Sequence, residues 1–189
     1  MEDDNLIQKT DEELTLLVKG KEIDNFGILI SRYESKMIRY SRKFISNQEE
    51  IEDIVQNIFL KVYRNIQLFD SGRKFSTWLY AIAHNEIVNF LKKRKKWPVA
   101  LIDPDTFWPS IADNSDLTEN IFKEEESKIL KEKLDMLKPK YKEIIVLFYL
   151  EELDYAQISE ILKIPISTVG VRLRRAREIL KQKFNNHGK

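Results

Sequence analysis

Aromatic, amide and basic side chains are concentrated between residues 73 and 96, in the stretch RKFSTWLYAIAHNEIVNFLKKRKK. Aromatic rings can stack on unpaired bases, amides can hydrogen-bond to base edges, and lysines can hold phosphates. The stretch contains the aromatic residues Phe75, Trp78 and Tyr80, then His84, Asn85 and Asn89, and finally five consecutive basic residues over 92–96. For Trp78 and Phe75 the alternative is an ordinary place in a hydrophobic core.

A second candidate site lies between residues 154 and 180, where the spacing is that of a helix-turn-helix. Four apolar residues would wedge the two helices together: Ile158, Leu162, Ile164 and Val169. Lys163 and Pro165 fall in the turn. In the second helix a buried stripe of Val169, Leu173, Ala176 and Leu180 is predicted. The outward face would then carry Ser167, Thr168, Val171, Arg174 and Arg175.

A helix that presents short polar groups first and arginines later suits entry into the major groove by its N-terminal turns. Arginine can bind guanine bidentately, and the arginines further along can pair with phosphates. The alternative is an amphipathic hairpin with an ordinary charged surface. Gly170 lies inside the second helix, where it costs roughly 1 kcal/mol relative to alanine. It allows either close approach to DNA or fraying of the helix.

A third candidate is the helix predicted over residues 51–66. Its broad apolar face comprises Ile54, Val55, Ile58, Phe59, Val62 and Ile66, and its polar face comprises Asp53, Gln56, Asn57, Lys61 and Arg64. Leu60 falls in the middle of the polar face. A single exposed leucine is commonly without function. Surrounded by polar groups, it also resembles the anchor of a protein interface.

All three candidate sites lie on predicted helices, and the sequence as a whole predicts an all-α protein. Thr10 with Glu13 and Ser46 with Glu49 have the capping-box spacing and would open helices through Val18 and over 48–68. Further helices are expected over 24–44, 75–95, 119–137, 139–150, 155–162 and 167–184. Asp70, Ser71 and Gly72 form a turn.

Charge and proline divide the chain into two helical domains, 1–96 and 119–189, joined by a flexible acidic linker over 97–118. Lys and Arg number seven against two acids over 70–96 and eight against one over 163–189, whereas 98–126 has eight acids and one Lys. This segregation suggests two polyanion-binding surfaces, although solvated helix faces would give a similar pattern. Trp97, Phe107 and Trp108 in the linker either pack on a domain or bind a partner.

Composition excludes several classes of function. There is no Cys and there are only two His, so disulfides, thiolate zinc sites and a histidine metal cluster are not expected. No phosphate-binding glycine loop or nucleophile elbow is present, so we expect no cofactor and no catalytic residues. The acidic N-terminus lacks the apolar segment of a signal peptide, and no apolar run approaches ~20 residues. A cytoplasmic protein without membrane insertion is expected.

Three motifs in order resemble the extracytoplasmic-function sigma factors of bacterial RNA polymerase. DIVQNIFLKVYRNI (53–66) and FSTWLYAIAHN (75–85) are similar to the family's second conserved region, and YAQISEILKIPISTVGVRLRRAREIL (155–180) is similar to its fourth. The resemblance covers nearly the whole chain apart from the linker and the termini.

The resemblance implies a role for each surface. Asp53, Gln56, Asn57 and Leu60 would bind the clamp helices of the largest polymerase subunit, and the segment from Arg73 to Lys96 would recognise and help melt the −10 promoter element. The implied −10 contacts are Arg73, Lys74, Ser76, Trp78, His84, Asn85, Asn89, Lys92 and Lys93. The recognition helix would read the −35 element through Ser167, Thr168, Val171, Arg172, Arg174 and Arg175, near the polymerase flap. The acidic linker would follow the RNA exit path. Many members of the family also have an anti-sigma partner.

The chain departs from the family's pattern in its fourth region. Gly170 and Val171 replace a usual Lys and a hydroxyl residue, and Lys163 replaces a common Gly in the turn. The base preference of a typical member therefore does not transfer. The competing hypothesis is a self-sufficient helix-turn-helix regulator with an N-terminal sensor or dimerisation domain, which would bind an operator without polymerase.

Overall fold

A computed structural model describes residues 8–94 and 132–185. All regular structure in these two ranges is helical, as predicted. The helices are α1 (Asp11–Lys19), α2 (Asn25–Ser41), α3 (Gln48–Asn65), α4 (Phe75–Lys93), α5 (Pro139–Ile145), α6 (Tyr155–Leu162) and α7 (Ile166–Asn185). A 3₁₀ turn, Ile66–Leu68, extends α3, and a π-helical segment, Val146–Leu150, extends α5.

Two compact units contain these helices, and the division between them falls between Pro98 and Val99. The predicted linker, including Trp97, Phe107 and Trp108, lies outside the described residues, as does most of the helix expected over 119–137. Residues 132–135 are helical. The bounds of the linker therefore stay a prediction.

In the N-terminal unit, α3 packs against α2 and α4, and α1 packs against α2 and α4. The core residues without solvent exposure include Leu14, Leu29, Met37, Tyr40, Ile58, Val62, Phe75, Leu79 and Ala83. The whole predicted apolar face of α3 is buried, which confirms the face assigned from its spacing. The opposite face of α3 is thereby turned to solvent.

Of the two helix caps predicted from the sequence, one is confirmed and the other is wrong. The capping box of α1 is confirmed, because the Glu13 amide donates to Thr10 Oγ1 and the Thr10 amide donates to Glu13 Oε2. The predicted cap at Ser46 is wrong. Asn47 caps α3 instead, by accepting from the Glu50 amide at 2.9 Å. An Asn side chain satisfies a free helix amide as well as Ser does, so the spacing alone could not separate the two registers.

The turn before α4 is confirmed. Asp70 Oδ1 accepts from the Gly72 amide at 3.0 Å, and the Asp70 carbonyl accepts from the Arg73 amide. Aspartate commonly stabilises a turn by bonding to its own backbone two residues on. This turn sets where α4 begins and therefore where its first exposed side chains lie.

In the C-terminal unit, α7 packs against both α5 and α6. Its core includes Leu134, Ile144, Leu147, Ile158, Ile161, Val169, Leu173 and Ala176. The end of α7 is held by a buried cation, because Lys133 Nζ donates to the Lys183 carbonyl at 3.0 Å. A cation at a helix C-terminus is favourable because the last carbonyls carry partial negative charge.

The predicted helix-turn-helix is present as α6 and α7. Asp154 and Gln157 form a reciprocal capping box at the start of α6. The Ser159 hydroxyl donates from Oγ to the Ile164 carbonyl in the turn. Lys163 ends α6 in the left-handed conformation, with φ 53° and ψ 45°. A glycine is common at such a position because it has no Cβ to clash.

We expect Lys163→Gly to stabilise the C-terminal unit by about 1 kcal/mol, because it removes the Cβ from a left-handed residue. Lys163→Ala is the matched control, since it removes the charge but keeps the Cβ. Hydrogen exchange of peptides from residues 139–185 measures the change. Equal protection in the two variants would show that the side chain, and not the backbone conformation, sets the stability.

Candidate polymerase and promoter interface

The outward face of α3 carries the predicted polymerase contacts. Asp53, Gln56, Asn57 and Leu60 are all exposed, as their spacing predicts. Leu60 has 44% of its surface exposed. The structure therefore places an apolar side chain among a carboxylate and two amides on one accessible face.

A groove of about 560 Å³ runs beside this face, between α2 and α3. Its apolar lining includes Phe26, Ile30, Ile38, Leu60 and Tyr63. Tyr63 is 40% exposed, and its ring packs on Phe26 with the centroids 5.3 Å apart. Tyr63 and the residues of α2 could not be assigned to this surface from the sequence of α3, because the pattern of one helix does not reveal its neighbour.

The predicted −10 contacts are accessible along α4 and the turn before it. Arg73, Lys74, Asn85, Asn89, Lys92 and Lys93 are exposed, and Ser76, Trp78 and His84 are half-buried. The Asn85 side chain donates from Nδ2 to the Ala81 carbonyl at 2.8 Å, which fixes its orientation on the helix. Basic residues at the end of the helix are also favourable for its dipole.

Trp78 is part of an aromatic cluster. Its ring lies 4.9 Å from the Phe69 ring and 6.0 Å from the Phe75 ring, measured between centroids. Phe75 and Phe69 are buried, whereas Trp78 is half-buried. The core alternative thus holds for Phe75, and Trp78 has both a packed side and an accessible side.

An ion pair connects the two helices that carry these surfaces. Lys61 Nζ on α3 lies 2.5 Å from Glu86 Oε1 on α4, next in sequence to Leu60 and Asn85 respectively. Both partners keep some solvent exposure, so the pair contributes little to stability. The pair lies between the exposed face of α3 and the exposed face of α4.

The recognition helix exposes fewer residues than predicted. Ser167 is exposed, and Arg174 and Arg175 are half-buried. Ile166, which was not among the predicted contacts, is 53% exposed at the first position of α7. An accessible apolar side chain there can contact the methyl group of a thymine in the major groove.

The prediction that Thr168 and Val171 lie on the outward face is wrong. Thr168 is 2% exposed, Val171 is 4% exposed and Arg172 is 9% exposed. Burial also lowers the pKa of the Arg172 guanidinium. The reason is that α7 packs on two helices, α5 and α6, so that its buried surface is wider than a single stripe. Leu180, at the far end of the predicted stripe, is only half-buried.

Gly170 is half-buried and faces the start of α6. A Cβ built on Gly170 would lie 3.6 Å from Cε2 of Tyr155, which is ordinary van der Waals contact. This position therefore meets the first residue of α6.

Comparison with known families covers both units. Residues 29–96 match Sigma-70 region 2, and residues 127–180 match Sigma-70, region 4. The chain is 35% identical to the ECF RNA polymerase sigma factor SigW of Bacillus subtilis, over 89% of this chain and 94% of SigW. This chain belongs to the ECF sigma factors. It is an alternative sigma factor that directs the initiation of transcription.

Other relatives agree with this assignment. The ECF RNA polymerase sigma-E factor of Haemophilus influenzae is 31% identical, over 94% of this sigma factor and 96% of the relative. Among solved structures, CnrH in complex with the cytosolic domain of CnrY gives a TM-score of 0.69 at 19% identity, covering 93% of this chain and 97% of CnrH. The sigma factor RpoE of Bartonella quintana, in complex with the anti-sigma factor NepR, gives a TM-score of 0.62 at 22% sequence identity. The match covers 85% of this chain and 97% of RpoE. These two structures support the fold.

Two further observations concern only the described part of the sigma factor. No helix in residues 8–94 or 132–185 is long and apolar enough to span a bilayer. In the same residues, no three His, Cys, Asp or Glu side chains come together as a metal site.

The burial pattern of α7 predicts different effects for two neighbouring substitutions. Val171→Ala should destabilise the C-terminal unit by about 2 kcal/mol, because it removes buried methyl groups. Ser167→Ala should change stability by less than about 0.5 kcal/mol, because the side chain is exposed. Hydrogen exchange measures stability, and promoter binding by the holoenzyme measures the predicted −35 contact, which only Ser167→Ala should weaken directly. A change of −35 preference in Val171→Ala without loss of protection would contradict the assignment.

Proposed function

We propose that this sigma factor binds core polymerase through the outward face of α3 and the adjoining groove. The contacts would be Asp53, Gln56, Asn57 and Leu60, with Tyr63 added from the structure. Their partner would be the clamp helices of the largest polymerase subunit. The observation that carries this proposal is the exposure of Leu60 within a polar surround.

The chemistry of this face suits a specific and reversible contact. A leucine that is half accessible contributes binding energy when a partner covers it, because apolar surface leaves water. The surrounding carboxylate and amides require matched hydrogen bonds from the partner, which confers specificity. The groove between α2 and α3 gives a partner helix a concave surface to enter.

Promoter recognition would be divided between the two units. Arg73, Lys74, Ser76, Trp78, His84, Asn85, Asn89, Lys92 and Lys93 would contact the −10 element, and the half-buried Trp78 ring would offer its accessible surface for base stacking. Ser167, Arg174 and Arg175, together with Ile166, would contact the −35 element, close to the polymerase flap. Because they are buried, we do not carry Thr168, Val171 and Arg172 into this set.

Regulation by an anti-sigma factor is part of the proposal. RpoE of Bartonella quintana forms a complex with the anti-sigma factor NepR. An inhibitor of that kind would act on this chain by covering surfaces that the polymerase needs. The chain would act in the cytoplasm as a non-catalytic subunit, with the polymerase supplying the chemistry.

Leu60→Asp should weaken binding to core polymerase by at least about tenfold, because it places an uncompensated charge at the centre of an interface. Leu68→Asp is the matched control, since Leu68 is 81% exposed and lies outside the groove. Asp53→Ala should also weaken binding, by loss of a polar contact. The measurement is titration of fluorescently labelled sigma factor with core enzyme. Normal binding by both the Leu60 and Asp53 variants would refute the α3 assignment.

Salt dependence separates phosphate contacts from base contacts on α4. The double variant Lys92→Ala, Lys93→Ala should lower the slope of log affinity against log salt by about 1 to 2, since each lost phosphate contact removes roughly one released counterion. Asn89→Ala should weaken binding of the holoenzyme to promoter DNA without changing this slope. An unchanged slope in the lysine variant would place those side chains away from the phosphates.

In vitro transcription tests the function as a whole. Core polymerase is supplied with a library of genomic fragments, with and without the sigma factor, and the start sites are mapped. New start sites that share paired −35 and −10 sequences are expected. Specific binding of the free chain to an operator, with start sites unchanged, would favour the competing regulator hypothesis.

A further inference from the structure

The amino end of α4 is capped from another helix. The Phe75 amide, at the first position of α4, donates to Glu12 Oε1 of α1 at 2.9 Å. The residue that would cap α4 locally, Lys74, makes no side-chain cap hydrogen bond, and the first turn of α4 contains no acidic residue. A carboxylate there satisfies a free amide and complements the positive end of the helix dipole.

Helix α1 is held in place for this contact. Asp11 Oδ1 lies 2.6 Å from Arg32 Nη1, and Asp11 Oδ2 accepts from the Tyr33 hydroxyl at 2.5 Å. Burial, followed by the bond to Asp11, raises the pKa of Tyr33, so the hydroxyl stays protonated and continues to donate. A nine-residue helix is not stable alone in water. Neighbouring acids of α1 therefore bind α2 and α4, and α1 bridges these two helices.

The capped end of α4 is where the proposed −10 contacts begin. Arg73 and Lys74 immediately precede the helix, and Ser76 and Trp78 lie in its first turn. Without the Glu12 bond, the leading amide of α4 loses its acceptor, and the first turn is held only by the packing of its side chains and frays more readily. Fraying would displace the side chains that must be held to bind unpaired bases.

We infer that Glu12 is a positioning residue for −10 recognition, acting through its hydrogen bond to the amino end of α4. This inference rests on the proposed function of α4. Glu12 does not itself need to contact DNA. The Glu12 bond is expected to lower the conformational-entropy cost of ordering the first turn of α4 when DNA binds.

The test compares three variants of the full-length sigma factor in the holoenzyme. Glu12→Ala removes the cap, and Glu12→Gln keeps an oxygen acceptor without the charge. Glu13→Ala is the matched control, because Glu13 is exposed on the same helix and closes only the capping box with Thr10. The probe is a fluorescent single-stranded oligonucleotide that spans the −10 element of the non-template strand, taken from a promoter mapped with the wild-type protein. Affinity for core enzyme and the thermal midpoint are measured alongside.

Glu12→Ala should weaken binding of the probe by about five- to tenfold, which is less than the full effect of one charge-assisted hydrogen bond because the cap acts on DNA only through the order of α4. Affinity for core should stay within about twofold, because the α3 surface is unchanged. Glu12→Gln should fall between wild type and Glu12→Ala, and Glu13→Ala should bind the probe normally whatever its thermal midpoint.

Three results would overturn the inference: normal probe binding by Glu12→Ala, equal loss in Glu12→Ala and Glu13→Ala, or no recovery in Glu12→Gln. Equal loss would mean that α1 acts only through general stability. Failure of the wild-type holoenzyme to bind the probe would overturn the proposed −10 role of α4 as well, which distinguishes the two failures.

Discussion

Burial of the apolar face of α3 constrains the rest of the N-terminal unit. Six apolar side chains on one side of this helix are removed from water, so the helix cannot rotate without exposing them. Leu60 and its polar neighbours therefore face solvent, because they lie on the side of α3 opposite the buried face. The same packing fixes α2 and α4 around α3, and with them the groove and the surface proposed to bind the promoter.

The sequence predicted α3 well and α7 less well, for a physical reason. Helix α3 leaves one side to solvent, so the alternation of apolar and polar residues reflects its environment. Helix α7 packs on two helices, and Thr168 and Val171 are buried although they lie off the main apolar stripe. Threonine and valine occur both in cores and on surfaces, so their residue type does not show where the buried face of α7 ends. The pattern of a single helix therefore underestimates burial wherever two neighbours contact it.

Contacts between distant residues could not be predicted from the sequence. The Glu12 bond to the Phe75 amide spans 63 residues, and the packing of Tyr63 on Phe26 depends on how two helices meet. A local signal did better because its physics is local: the capping box predicted at Thr10 is present, and it joins side chains only three residues apart. At α3 the observed cap is Asn47 and not the predicted Ser46, because two adjacent residues were equally able to cap the helix.

The left-handed Lys163 has a consequence for how the helix-turn-helix responds to a polyanion. A glycine would relieve the backbone strain but would bring no charge to this exposed corner, where lysine carries one. Lysine at this position therefore keeps the backbone strain and adds a positive charge that attracts phosphates. Under the proposed −35 role of α7, this lysine would attract phosphates while leaving the free unit less stable, so DNA binding by the unit would depend more on ionic strength than with glycine at this position.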